Sequence, residues 1–121
     1  MSGNFVLRVA AMVAGCAIAL ACAGGEAEHW QSVTGTALQA LFKDKEFADG
    51  VHFAYVFKAN GTFRGTEMAK EVSGSWRVRG NELCWHWLRP AGPRECYAVE
   101  HDGEHVRLLI NGSEAWYGTL R

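Results

Sequence analysis

The residues best equipped for chemistry in this chain are gathered in CWHWLRPAGPREC, residues 84–96, which holds two cysteines, an imidazole between two indoles, and both prolines. Cys84, His86 and Cys96 could offer thiolate and imidazole ligands to a metal, although a fourth ligand and reduced thiols would be needed. The C-x-x-C of a redox centre and the C-x-x-C-H of haem attachment are both absent. The competing reading is a disulfide between neighbouring strands. A second cluster, His101-Asp102-Gly103-Glu104-His105, looks like a ligand set in one dimension. A two-residue Asp-Gly hairpin would set His101 against Glu104 and His105 against Glu100, and so send the two imidazoles to opposite faces. His29 and His52 stand alone. No G-x-S-x-G elbow, no glycine-rich loop before a helix and no H-E-x-x-H occurs. The expectation is therefore a protein that is not an enzyme and carries no cofactor or metal.

The start of the chain reads as an address. Arg8 is followed by the apolar run VAAMVAGCAIALAC and by Ala21-Cys22-Ala23, an A-x-A cleavage pattern. A signal peptide over residues 1–23 is expected, and with it a periplasmic or secreted protein. The run is short for a bilayer span, which takes about 20 apolar residues. Val13-Ala14-Gly15-Cys16 also resembles a lipobox, which would anchor the chain through a lipid on Cys16; the apolar AIALACA that would follow the cut makes this the weaker reading. Without residues 1–23 the chain has 98 residues, 11 Lys plus Arg and 13 Asp plus Glu, a formal charge of −2. Such a balance offers no electrostatic reason to expect nucleic acid or an anionic membrane as partner, and no membrane span is expected in the mature chain. Cys84 and Cys96 are then the one remaining pair, in an oxidising compartment, and the disulfide is preferred.

Residues 24–33 read as a polar lead-in, and residues 34–121 as a single β domain with an N-terminal helix. In TGTALQALF, Thr34 or Thr36 can cap a short helix whose Leu38, Leu41 and Phe42 share a face. From Val51 onward the pattern alternates, and turn signals separate seven strands. Asn60-Gly61 sets Phe57 opposite Phe63, and Gly80-Asn81 sets Trp76 opposite Trp85 and Val78 opposite Leu83. The Pro90–Pro93 turn brings Cys84 across from Cys96, where Cα atoms roughly 4.5 to 5.5 Å apart suit a disulfide. Asp102-Gly103 pairs Val99 with Val106 and Tyr97 with Leu108. Asn111-Gly112 pairs Leu108 with Ala115 and Val106 with Tyr117. Asn60 and Asn111 each begin a glycosylation sequon, but turn chemistry explains both. The expected fold is mainly β: a seven-stranded antiparallel meander curled into a barrel or half-barrel, with the helix packed on it or across one end.

Alternation collects Phe53, Tyr55, Phe57, Phe63, Trp76, Trp85, Trp87, Tyr97 and Tyr117 on one face, with Glu67 the one carboxylate among them. Such rings can simply fill an interior, or line a concavity for an apolar ligand with Glu67 as polar anchor. These ten residues are the candidate ligand site, for a small apolar ligand or a peptide. The alternative is an envelope protein as partner, docked on an outer surface around Trp116 and Leu120, with a filled core.

The pieces FKANGTFRG, SGSWRVRGNELCW and ECYAVEHDGEHVRLL, with the final G-T-L, resemble a pattern of small exported bacterial proteins without assigned activity: D/N-G-T-F, G-x-W-x-V-x-G-x-x-L-C, C-Y-x-V-x-x-D-G. The likeness covers about residues 50–120, with Asn60 standing where aspartate is expected. It implies a lipocalin-like curled sheet in the periplasm with paired cysteines, and carries over no catalytic residue.

Overall fold

A computed structural model describes residues 29–121; the expected signal segment, with Cys16, lies outside the described residues. Nine strands and one helix follow in the order β1 (Gln31–Val33), α1 (Gly35–Phe42), β2 (Lys45–Ala48), β3 (Phe53–Phe57), β4 (Thr62–Glu67), β5 (Lys70–Arg79), β6 (Glu82–Arg89), β7 (Ala91–Asp102), β8 (His105–Ile110) and β9 (Ser113–Leu120). Each of β3 to β8 pairs antiparallel with its successor, and β2 joins β3 to β9, so eight strands close into a barrel. Closure removes the two sheet edges that a flat meander would expose.

The seven expected strands are present, and the two additional ones come from segments whose alternation is too short to see. KEFA, inside the charged stretch 43–50, buries one residue of four, Phe47, yet it is the strand that closes the barrel. QSV, in the polar lead-in, continues the β6 side of β7, pairing Val33 with Val99 just past the point where Glu82 meets Ala98. Between these strands α1 spans one end of the barrel and buries Leu38 and Phe42; Phe42 meets Phe57 at 5.2 Å and Phe47 at 6.0 Å between ring centroids. The Gly35 N–H donates to the Gly80 carbonyl at 3.2 Å, tying the helix start to the β5–β6 turn. The opposite end, the open end, has no helix across it among the described residues and carries the connections 49–52, 68–69 and 111–112 and the turn at Arg89-Pro90.

The register explains both agreement and error. Phe57 faces Phe63, Trp76 faces Trp85, and Cys84 faces Cys96, as the turn chemistry requires. Cys84 and Cys96 are bonded, with Cα atoms 4.0 Å apart, so the metal reading of this pair falls away. After Asp102 the register differs. Gly103, at φ +59°, takes the first loop position instead of the second, so Asp102 faces His105, His101 faces Val106 and Val99 faces Leu108. The slide leaves inward and outward faces unchanged. In β9 the faces do change. Ile110 faces Ser113 and Leu109 faces Glu114, but Leu108 faces Trp116: Ala115 is an extra residue, a β-bulge. One inserted residue sends everything after it to the other face. Trp116 and Leu120 therefore point inward, and Tyr117 lies outside, 46% exposed.

Candidate functional site

Of the ten candidate residues, Phe57, Phe63, Trp76 and Trp85 belong to the packed interior. Their relative exposures are 4% or less, and Phe57 meets Trp76 and Trp85 at centroid distances of 5.6 and 6.1 Å. Interior glycine makes room for this filling: a Cβ on Gly74 would lie 2.7 Å from Cζ of Phe63. Tyr97 is buried beside Trp85, at 5.1 Å. Tyr117 is the correction within the set. It sits on the outer wall, stacked on His105 with its hydroxyl 3.1 Å from Nδ1, and edge-on to Trp30.

Phe53, Tyr55, Glu67 and Trp87 are gathered toward the open end, and there the structure adds Trp116 and Glu95. Phe53 stacks on Tyr55 at 5.0 Å and meets the edge of Trp116 at 5.0 Å; Trp87 closes on Tyr55 at 5.4 Å. Glu95 enters through β7, directly across from Trp85. Its carboxylate accepts from Trp85 Nε1 at 3.0 Å and from the Tyr97 hydroxyl, and that hydroxyl accepts in turn from Trp116 Nε1 at 3.3 Å. Burial, and then the bond to Glu95, hold the Tyr97 phenol well above its ordinary pKa. Tyr55 behaves differently. Its hydroxyl is buried and makes no hydrogen bond among the described residues, while burial first and the Glu67 charge second raise its pKa far above the usual tyrosine range. The floor of the open end thus carries one carboxylate bound by Trp85 and Tyr97 and a second, Glu67, whose charge bears on the Tyr55 phenol.

Around this floor stand four exposed apolar side chains, one from each connection or its shoulder. Val51 is 82% exposed, Met68 66%, Leu88 51% and Ile110 45%. Met68 and Ala69 form a two-residue hairpin loop at φ +49° and +64°, both in the left-handed region that asparagine and glycine occupy more easily. At the neighbouring connection, Asp49 accepts from the backbone N–H groups of Val51, His52 and Phe53 at 2.9, 2.6 and 3.1 Å, and pairs with His52 Nδ1 at 2.7 Å. Burial alone would raise the carboxyl's pKa, but these donors outweigh it and hold Asp49 well below the usual carboxylate range.

Three hollows of about 340 to 410 Å³ open on the outer wall: one by Arg64 and Arg89, one over the disulfide, and one between β2 and β9. Among the described residues no helix is long and apolar enough to cross a membrane. Glu95 was within reach of sequence reasoning, because the register that pairs Cys84 with Cys96 already sets it against inward-facing Trp85; Trp116 was not, because nothing in EAWYG marks the bulge. No protein-family model, curated protein or solved structure matches this chain.

Proposed function

We propose that this protein is a non-enzymatic, exported binding module that holds a peptide or protein segment against the open end of its barrel. The observation that carries the reading is the convergence of Val51, Met68, Leu88 and Ile110 on that one end. Exposed apolar side chains gathered at one end of a fold contribute little to its stability and are a usual mark of a contact surface. The interior supports a partner met at the end of the barrel rather than a ligand swallowed by it, since rings already occupy the space. The chemistry of the floor selects the partner: a segment with an apolar side chain for the rim and a Lys or Arg to approach Glu67, over aromatic faces that favour a cation. The cysteine pairing and the apolar run of residues 9–23 support export.

Panning the full-length oxidised protein against a random peptide library tests this. The expected result is a consensus joining an aliphatic or aromatic residue to Lys or Arg. The double variant Met68→Asn, Ile110→Asn should weaken the selected peptides by about tenfold or more, and Glu67→Gln should erase the preference for the basic residue. Asparagine suits the left-handed backbone at position 68, so loss of folding does not obscure the result. A library yielding no consensus, or selected peptides indifferent to these changes, overturns the reading.

A further inference from the structure

The chain is slightly acidic as a whole, yet its cations are not evenly spread. β-Strand partners share a face, so Ser75, His86 and Arg94 form one outward row and Arg77, Cys84 and Cys96 the next, with Arg79 following Arg77 along β5. Together they border the hollow of about 390 Å³ over the disulfide. The two half-cystines are short, so the sheet sinks between the longer arginines on either side and the S–S bond makes its floor. Rows on neighbouring strands are about 4.8 Å apart, and alternate residues along a strand about 6.7 Å. Among the described residues no carboxylate borders the hollow. Glu82 stands cross-strand from Arg79 and forms no ion pair with it; nor do Arg77, Arg79 and Arg94 make an ion pair or side-chain hydrogen bond with any described residue.

We infer that the groove over the Cys84–Cys96 disulfide is a binding site for a small phosphorylated molecule. Arg77 and Arg79, alternate residues of one strand, repel one another, and an anion lying between them and Arg94 relieves that repulsion while accepting hydrogen bonds from both walls. Guanidinium forks suit both carboxylate and phosphate. The arrangement favours the tetrahedral group: Arg77 and Arg79 come from one wall and Arg94 from the other, with Ser75 Oγ and the His86 ring as further polar groups at one end. A carboxylate offers two oxygens in one plane, whereas a phosphate monoester offers three that diverge toward both walls. The hollow's volume lies in the range of small-molecule sites. The crosslink beneath it holds β6 against β7 and so fixes the floor of the groove. This site lies on the wall of the barrel and is independent of the open end.

The test is an amide NMR titration of the full-length oxidised protein with pyrophosphate and with glycerol phosphate, using glycerol as the uncharged control. Saturable shifts are expected at Ser75, Arg77, Cys84, His86 and Arg94 with both phosphates and not with glycerol. Arg77→Gln or Arg94→Gln should weaken binding by about tenfold or more, while Lys43→Gln, which removes the same charge beside α1, should alter it by less than about twofold. Both arginines are exposed, so the fold survives their replacement. Absence of saturable shifts overturns the inference, and so does equal weakening by all three variants, which would mean general charge attraction. Vesicles containing phosphatidic acid form the last arm: co-sedimentation with them, while glycerol phosphate leaves the groove unshifted, would replace the small-molecule site with a membrane contact.

Discussion

Exchange of Trp116 and Tyr117 between inside and outside rests on one bulged residue, and matched substitutions at the two positions put a number on it. Trp116 meets Phe53, Trp85 and Tyr55 at 5.0, 5.3 and 5.9 Å between centroids and donates from Nε1 to the Tyr97 hydroxyl. A tryptophan covering about 200 Å² is worth about 5 kcal/mol at 25 cal/mol/Å². Its partial exposure lowers that figure, so Trp116→Ala should cost about 3 to 4 kcal/mol, in line with other large aromatic truncations. Tyr117 is 46% exposed and offers one exposed bond to His105, so Tyr117→Ala should cost about 1 kcal/mol. Urea unfolding followed by far-UV ellipticity would read the difference as a midpoint lower by about 2 M in the tryptophan variant, for a slope of 1 to 2 kcal/mol/M. If Trp116→Ala fails to fold, Trp116→Phe against Tyr117→Phe keeps the comparison, at about 1 kcal/mol against a few tenths. Equal losses, or a larger loss at position 117, would refute the bulge and restore the uninterrupted register.

Two further outcomes concern the elements that hold the open end and the wall. Replacing Cys84 and Cys96 together by serine releases a crosslink spanning 12 residues, and loop-closure entropy gives about 3 kcal/mol for one of this size. Calorimetry should then show a transition lower by about 15 °C, and a shift of only a degree or two would mean that the surrounding ladder holds β6 to β7 unaided. For Asp49 the carboxyl's pKa is depressed in the folded protein, so its contribution is present above the unfolded value of about 3.9 and is lost as pH falls below it. Stability measured between about pH 5 and pH 2 should therefore decline less steeply in Asp49→Asn than in the parent protein; identical slopes would remove Asp49 from the acid response.

How much of the molecule could be read from residues alone depends on how many turn residues pin a given strand. Between Phe53 and Cys96 every hairpin except one is fixed by Asn-Gly, Gly-Asn or proline chemistry, and there the cross-strand pairs, the disulfide and the inward rings all follow. The exception, Met68-Ala69, carries no turn signature, and its left-handed backbone appears only in three dimensions. Phe47 shows the opposite difficulty. A strand of four residues with one buried side chain has no period to detect, although it completes the barrel. In β9 the turn is fixed correctly by Asn111-Gly112, and the error enters four residues later, at Ala115. A small residue in a bulge leaves no trace in an alternation that reads equally well with Trp116 or Tyr117 inside.

Charge was legible in a different way, and the total concealed it. A formal charge of −1 argues against a polyanionic partner only if cations and carboxylates are interleaved over the surface. Strand parity already separates them: Arg77 and Arg79 share the outward face of β5, and the disulfide register places Arg94 on the same side, across His86 from Ser75. Carboxylates concentrate elsewhere, at Asp44, Glu46 and Asp49 around β2, and at Glu100, Asp102 and Glu104 near the β7–β8 turn, where Glu100 holds Arg107 at 2.8 Å. At ordinary ionic strength charges more than about 8 to 10 Å apart scarcely sense one another, so each patch acts on a ligand by its own sign. A single sheet can thus present an arginine-lined groove on its wall and a carboxylate-bearing cup at its end. For a β protein the quantity that bears on partner chemistry is therefore the charge on each face of each strand pair, computed after the register is known.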